Sequence, residues 1–136
     1  MTDDQKSHVR AFYEALAPGH REPLFGLQSA YVVYELPEGM PTGGGRFEGI
    51  SDLLDRFLPN FYAAFDARFI PEEMVEEGDQ VVVLGRLKGQ TRQGRVSIDV
   101  PFAHVWTVAE HRLTRLRGFI DTATLARALE QARRVS

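Results

Sequence analysis

Two side chains in the last third of the chain, those of His104 and Asp121, could carry acid–base chemistry. They lie in the stretch VSIDVPFAHVWTVAEHRLTRLRGFID, residues 96–121. An imidazole ionises near neutral pH, and partial removal from water moves its pKa into a range useful for a general acid or base. His104 sits among apolar residues and is our first candidate for chemistry. The alternative is a core histidine satisfied by a backbone carbonyl or a tyrosine hydroxyl.

The alternation of apolar and polar residues predicts that this stretch is a β-hairpin with one dry face. The even positions of the first arm form an apolar stripe around the imidazole: Ile98, Val100, Phe102, His104 and Trp106. In the second arm, Leu116, Gly118 and Ile120 are apolar or small, and they alternate with Arg115, Arg117 and Asp121. We therefore expect the even positions of both arms to face one interior.

The turn between the arms sets the pairing. A three-residue loop over residues 109–111 pairs Val108 with Arg112 and places His104 opposite Leu116, which keeps both apolar sets on one face. A two-residue turn of Glu110 and His111 pairs dry residues with charged ones and requires positive φ at two bulky residues. We therefore predict the three-residue loop.

Other polar groups carry weaker signals. Tyr34 could bring a hydroxyl to the same interior, and the Trp106 N–H needs a partner wherever it lies. Arg86 could reach an anionic ligand, although a mid-strand arginine more often lies on a solvated or dimer face. The four histidines form no HxH or HxxxH pair and the chain has no cysteine, so we expect no metal site and no cofactor.

Composition limits the classes of function. At 136 residues the chain is expected to form a single domain, residues 1–136. Sixteen basic and nineteen acidic side chains, with no long basic run, argue against nucleic acid or an anionic membrane as partner. The start, MTDDQKSHVR, is polar, so we expect neither a signal peptide nor a transmembrane segment. The absence of cysteine fits a cytoplasmic protein.

The rest of the chain predicts helices and strands in a definite order. Helical spacing predicts helices over residues 3–17, stopped by Pro18 and Gly19, and over 21–27. The apolar face of the first helix consists of Val9, Phe12, Tyr13 and Leu16. Helical spacing also predicts a helix over 49–61, whose apolar face includes Leu53 and Phe57 and which Pro59 should kink or end near Leu58, and a helix after Asp121, the expected N-cap. β-forming residues predict strands over 30–36, 65–77 and 80–90 before the hairpin. The glycine-rich residues 37–45 lack phosphate-loop spacing and are expected to be a flexible connector.

This order indicates an α+β fold: a cone-shaped barrel in which a curved antiparallel or mixed sheet wraps around about three helices, with a C-terminal helix added. A concave sheet that the helices fill only partly leaves a cavity, which is the default binding site.

The same residues resemble a known superfamily. AFYEALAPGH, YVVYELPEG, FEGISDLLDRF and above all FAHVWTVAEHRLTRLRGFIDTATL are similar to nuclear transport factor two-like proteins, especially the ketosteroid-isomerase-like and SnoaL-like groups. The resemblance spans nearly the whole chain and implies the fold. It does not imply one function, because this fold carries many activities. It also implies a homodimer.

The isomerase residues of that superfamily are largely missing. Its tyrosine donor matches Phe12, with Tyr13 pointing one residue away, and its carboxylate base matches Leu36 unless the strand slips and presents Glu35. Its protonated acid matches His104, whose neutral imidazole could donate a hydrogen bond in the same way. Steroid isomerisation is therefore not expected. Gly118 stands where an epoxide hydrolase of this fold would need an acid.

Resemblance to polyketide cyclases makes Asp121 a second candidate acid–base residue, whereas the hairpin register favours helix capping. Around His104 we expect a wall for a small apolar ligand, formed by Tyr34, Phe12, Leu36, Phe102, Trp106, Leu116, Gly118 and Ile120. Three functions stay open: an acid–base isomerase, cyclase or lyase using His104, a noncatalytic binding protein, and an interaction module. The last would dimerise through outer-face residues such as Ala103, Val105 and Phe119.

Overall fold

The computed structural model describes the backbone of residues 2–16 and 21–135 and the side chains of residues 5–16 and 24–135. The helices are α1 (Thr2–Ala15), α2 (Arg21–Leu27), α3 (Ile50–Asp52), α4 (Leu58–Ala64) and α5 (Thr122–Val135). A π-helical turn, Leu53–Phe57, joins α3 to α4. The strands are β1 (Gln28–Leu36), β2 (Gly45–Glu48), β3 (Phe65–Glu77), β4 (Gln80–Thr91), β5 (Ser97–Ala109) and β6 (Arg112–Ile120).

The six strands form one mixed sheet in the order β2-β1-β6-β5-β4-β3. β1 pairs with β6 in parallel, and every other pair is antiparallel. This arrangement, with helices before a curved sheet and a helix after it, confirms the predicted α+β class. The short strand β2 was not predicted, because the glycine run before it reads as a loop.

The third predicted helix differs from its sequence pattern. The segment does not end near Leu58 but continues to Ala64, and it changes from π-helical to α-helical at Leu58. Pro59 lies in the first turn of α4, directly after the π-helical turn. Because proline has no N–H to donate to the preceding turn, the change in helix type falls where the intrahelical hydrogen bonds are interrupted. The stop predicted at Pro18 and Gly19, together with Ala17, lies outside the described residues.

The hairpin turn differs from the prediction, and so does its pairing. Ala109 pairs with Arg112, so the turn has two residues, Glu110 and His111, with φ of 51° and 64°. A β-bulge then inserts Thr114, whose hydroxyl donates to the Thr107 carbonyl at 3.1 Å. The extra residue restores the face that a two-residue turn alone would invert.

As a result, the predicted inward face is correct although the register is not. His104 lies opposite Gly118 rather than Leu116, and Phe102 lies opposite Ile120 rather than Gly118. The even positions of both arms point toward the helices: Phe102, His104, Trp106, Leu116 and Gly118 are buried and Ile120 is half-buried.

A second bulge helps to curve the sheet. The register of β3 against β4 shifts between Pro71 and Glu73, next to Gly85. A Cβ on Gly85 would lie 2.2 Å from the Ile70 carbonyl oxygen and 2.9 Å from the Phe102 ring, so the close approach requires glycine. The bend tightens the concave face on which the helices pack.

The outer face of the sheet carries most of the strand charges. Glu35 forms ion pairs there with Arg115 at 2.8 Å, Arg46 at 3.6 Å and Arg117 at 3.9 Å. Arg86 donates from Nε to Asp99 Oδ1 at 2.5 Å on the same face. These pairs answer two questions that the sequence left open, because neither Glu35 nor Arg86 points toward the helices.

Candidate functional site

A pocket opens on the concave side of the sheet beside His104. Its cavity volume is about 50 Å³, room for roughly three to five water molecules. The imidazole is the only titratable side chain among the described residues that line it. The wall is formed by Phe12, Leu16, Leu36, Pro37, Met40, Leu53, Phe57, Leu58, Phe69, His104, Leu116, Gly118, Phe119 and Ile120.

His104 is held in this apolar wall as a neutral imidazole. The residue is only 8% exposed, and its ring packs against those of Phe102 and Phe69, with centroids 4.4 and 5.6 Å away. Burial lowers the pKa of His104 to about 3, because the charged form loses its hydration. At neutral pH this histidine is therefore not a cation.

Two other buried side chains connect to the imidazole. Trp106 Nε1 donates to Tyr13 Oη at 2.9 Å, and Tyr13 Oη lies 2.6 Å from His104 Nδ1. Burial also raises the pKa of the Tyr13 hydroxyl above its ordinary value, so it stays protonated. A tyrosine hydroxyl, one of the two partners expected for a core histidine, is thus present on Nδ1.

The other edge of the imidazole faces the pocket. A Cβ placed on Gly118 would lie 3.5 Å from His104 Cδ2 and 3.7 Å from Nε2. Leu36 Cδ2 would be nearer still, at 3.2 Å, so the space that Gly118 leaves beside Nε2 is bordered by the flexible end of Leu36. Within the part of the chain that the structure describes, Nε2 makes no hydrogen bond to protein. Nδ1 is hydrogen-bonded within the core, and Nε2 is available to a ligand.

Several residues predicted for the wall do line this pocket. Phe12 reaches it from α1, Leu36 from the end of β1, and Leu116, Gly118 and Ile120 from β6. They come together because β1 runs parallel to β6, which puts the end of β1 next to the end of the hairpin.

Three other predicted wall residues are buried behind the pocket. Tyr34 is fully buried and donates its hydroxyl to Gln28 Oε1 at 2.7 Å, so it does not bring that hydroxyl to the cavity. Phe102 packs against the His104 ring from the side. Trp106 does not line the pocket; its N–H donates a hydrogen bond to the Tyr13 hydroxyl.

Asp121 lies outside the pocket lining and is exposed. Its Oδ1 accepts from the Thr124 backbone N–H at 3.1 Å, and its Oδ2 accepts from the Thr124 hydroxyl at 2.6 Å. These hydrogen bonds lower the pKa of the Asp121 carboxyl. The geometry is that of a helix N-cap, the alternative that the hairpin register favoured.

Sequence reasoning missed Tyr13 as a partner of His104. Helical spacing puts Tyr13 on the apolar face of α1, but the resemblance to the isomerases matches Phe12 to the donor and leaves Tyr13 aside. It also missed the pocket walls from the middle of the chain, namely Pro37, Met40, Leu53, Phe57 and Phe69. The helical spacing of Leu53 and Phe57 predicts that both are buried, which is correct, but it does not indicate which cavity they line.

Within the described ranges, no three His, Asp or Glu side chains are grouped to hold a metal ion. Nor does any helix in those ranges have the length and hydropathy needed to cross a membrane.

The chain matches the family model described as SnoaL-like domain over residues 9–116. No curated protein matches it. Among solved structures, an NTF2-like protein of unknown function from Burkholderia pseudomallei K96243 is 26% identical, with 93% of this chain and 97% of that chain covered and a TM-score of 0.84.

TerC, co-crystallised with polyporic acid, is 25% identical over 93% of this chain and 98% of its own, with a TM-score of 0.84. A hypothetical protein with a ketosteroid isomerase-like fold from Catenulispora acidiphila, in complex with trimethylamine, is 14% identical. It covers 90% of this chain and 92% of its own with a TM-score of 0.75, a likeness of fold alone. The chain, matched by its family model over most of its length, belongs to the SnoaL-like domain family.

Proposed function

We propose that this protein is a small-molecule enzyme of the isomerase, cyclase or lyase type, which binds a largely apolar substrate beside His104. One observation carries the proposal: a neutral imidazole is the only titratable side chain among the described residues lining an apolar pocket, and Nε2 faces the cavity. Polar groups placed singly in apolar pockets orient a ligand and act on it. TerC, a relative of similar size, was crystallised with a small molecule.

In this proposal His104 polarises a carbonyl oxygen of the substrate. The oxygen accepts a hydrogen bond from the imidazole while a C–H bond next to the carbonyl breaks, the electron pair moves onto oxygen and the proton passes to water. The carbonyl then re-forms in one of three ways: the enolate carbon takes a proton back from water, it attacks a second carbonyl carbon of the substrate whose oxygen is protonated, or it expels a leaving group from the neighbouring carbon as an anion. A donor aimed at developing negative charge in a dry site contributes more than it would in water.

A noncatalytic binding protein is the second candidate. It is favoured by the lining itself, because the described residues of the pocket include no carboxylate to remove the proton. The cavity of about 50 Å³ is also smaller than the roughly 150 Å³ that accommodates benzene in an engineered apolar cavity. Wall side chains, among them the flexible Met40, must therefore move to admit a ring.

One experiment separates the two candidates without knowledge of the natural substrate. Acetophenone is incubated with the protein in D₂O; binding is measured by saturation-transfer NMR and deuterium entry into its methyl group by proton NMR. The enzyme proposal predicts both binding and exchange, with exchange lost in His104→Phe and kept in the surface control His111→Phe. Binding without exchange above the buffer rate supports the binding protein. No binding contradicts both for this class of ligand.

We further propose that the outer face of the sheet forms a homodimer. Leu84, Ala103 and Phe119 lie side by side across β4, β5 and β6, and Val82 pairs with Val105 in the next row. Leu84 is 40% exposed and Phe119 49% exposed. Such a contiguous apolar row on a sheet face is typical of an interface. Sedimentation should show a dimer that Leu84→Lys dissociates; a monomeric wild-type chain at micromolar concentration contradicts the proposal.

A further inference from the structure

We propose that Tyr13 is a positioning residue that fixes His104 as the Nε2–H tautomer, so that the pocket selects neutral or anionic molecules with one oxygen acceptor and rejects amines. The inference rests on the proposed function for its ligand, and on the buried contacts of three side chains for its mechanism. Those contacts link Trp106, Tyr13 and His104 in one line from the core to the pocket.

The direction of the hydrogen bonds follows from the Trp106 end. An indole N–H can only donate, so Tyr13 Oη must be the acceptor of the 2.9 Å contact. The hydroxyl has one proton of its own, and the imidazole nitrogen 2.6 Å away is its only described acceptor. A buried hydroxyl proton without an acceptor is costly, so Tyr13 donates to Nδ1.

That direction decides the chemistry at the other edge of the ring. A neutral imidazole carries one proton, and if Nδ1 accepts, the proton is on Nε2. Nε2 is the nitrogen that faces Gly118 and the cavity. His104 therefore offers the ligand a donor and not a lone pair, which suits a carbonyl, enolate or phenolate oxygen. It acts as a hydrogen-bond acid toward the ligand and not as the base that abstracts a proton.

The same arrangement disfavours cations. An ammonium group in this pocket would meet an N–H donor and an otherwise apolar lining, with no carboxylate among the described lining residues. It would lose its hydration with no compensating partner. An oxygen, in contrast, would meet a donor in Nε2–H, and the space beside that nitrogen is bordered by the flexible end of Leu36 rather than by a side chain at position 118.

Nitrogen-15 NMR of the histidine ring reads the tautomer directly, because protonated and unprotonated ring nitrogens resonate far apart. For His104 in the wild-type protein at neutral pH we expect a protonated Nε2 and an unprotonated Nδ1. Tyr13→Phe should replace this pattern by a mixture of tautomers, whereas Tyr31→Phe, a change at a tyrosine that is 89% exposed, should leave it intact. A protonated Nδ1 in the wild type, or an unchanged pattern in Tyr13→Phe, overturns the inference.

Should Tyr13→Phe fail to fold, the wild type still decides the direction. A coupling across the hydrogen bond between the Tyr13 hydroxyl proton and Nδ1 is expected; a proton bonded to Nδ1 would refute the proposed direction.

The selectivity of the pocket is measured with acetophenone, its hydrocarbon analogue isopropenylbenzene, and benzylamine. The wild-type protein should bind the ketone more tightly than the hydrocarbon by a factor on the order of ten, the contribution of one hydrogen bond to affinity. Tyr13→Phe should reduce that ratio of affinities.

The two proposals fail in different ways. If no probe binds while Nε2 carries the proton, the ligand class fails and the positioning role of Tyr13 stands. If the ketone binds but Nδ1 carries the proton, the pocket stands and the positioning role is wrong. Benzylamine binding as tightly as the ketone contradicts the predicted selectivity.

Discussion

Acidification should destabilise this protein through His104 in particular. The pKa of the imidazole is about 3 in the folded chain and 6.5 in its ordinary state. Below about pH 6.5 the unfolded chain binds a proton that the folded chain refuses, so stability falls as the pH decreases and stops falling near pH 3. One pKa unit corresponds to about 1.36 kcal/mol, which makes the whole contribution about 5 kcal/mol.

The range accessible to experiment lies between about pH 7.5 and about pH 5, where the expected loss is about 2 kcal/mol. At pH 5 the folded imidazole is still neutral, so the loss there depends almost entirely on the ordinary pKa and hardly on how far burial lowers it. The expected figure is therefore insensitive to the exact pKa in the folded protein.

The free energy of unfolding is measured by urea denaturation, with the fluorescence of Trp106, the single tryptophan and a buried one, as the signal. His104→Gln is the matched variant, because its amide oxygen can still accept from Tyr13 and it does not titrate. Carboxylates and the remaining histidines are common to both proteins, so their effects cancel in the difference. The wild type should lose about 2 kcal/mol more than the variant over this range. Parallel stability curves would refute the burial of a neutral His104.

Two further substitutions test the assignments around the pocket. Asp121→Ala should lower the urea midpoint because it removes the N-cap of α5, and Asp121→Asn should keep most of the wild-type midpoint. Neither substitution should change acetophenone binding. A loss of binding in Asp121→Asn would show that Asp121 belongs to the binding site. Gly118→Ala should bring a methyl group 3.2 Å from the flexible end of Leu36 and 3.7 Å from Nε2. The unfolding free energy of Gly118→Ala should stay within about 1 kcal/mol of the wild type, whereas its affinity for acetophenone should fall. An unchanged affinity would mean that ligands do not approach Nε2.

Much of the fold could be predicted from the chain alone, because the patterns involved are local. Period-two alternation identified which face of the hairpin is dry, and helical spacing identified the buried face of α1. The second helix has the predicted bounds, Arg21–Leu27. These predictions depend on the burial of apolar side chains, and the spacing of apolar residues along the sequence indicates burial well. His104 was found for the same reason, as the one polar residue in an apolar stripe.

The partners of His104 were decided only by the tertiary structure. The bulge at Thr114 sets Gly118, not Leu116, opposite the imidazole, and no local pattern announces one extra residue in a strand. Tyr13 lies 91 positions away from His104 in the chain, and its hydroxyl reaches Nδ1 only because α1 packs across the concave face. Which residue faces inward is a property of a single strand or helix, whereas which two residues meet depends on how distant elements pack. The sequence therefore determined that an imidazole would be buried, and the fold determined which of its nitrogens remains available.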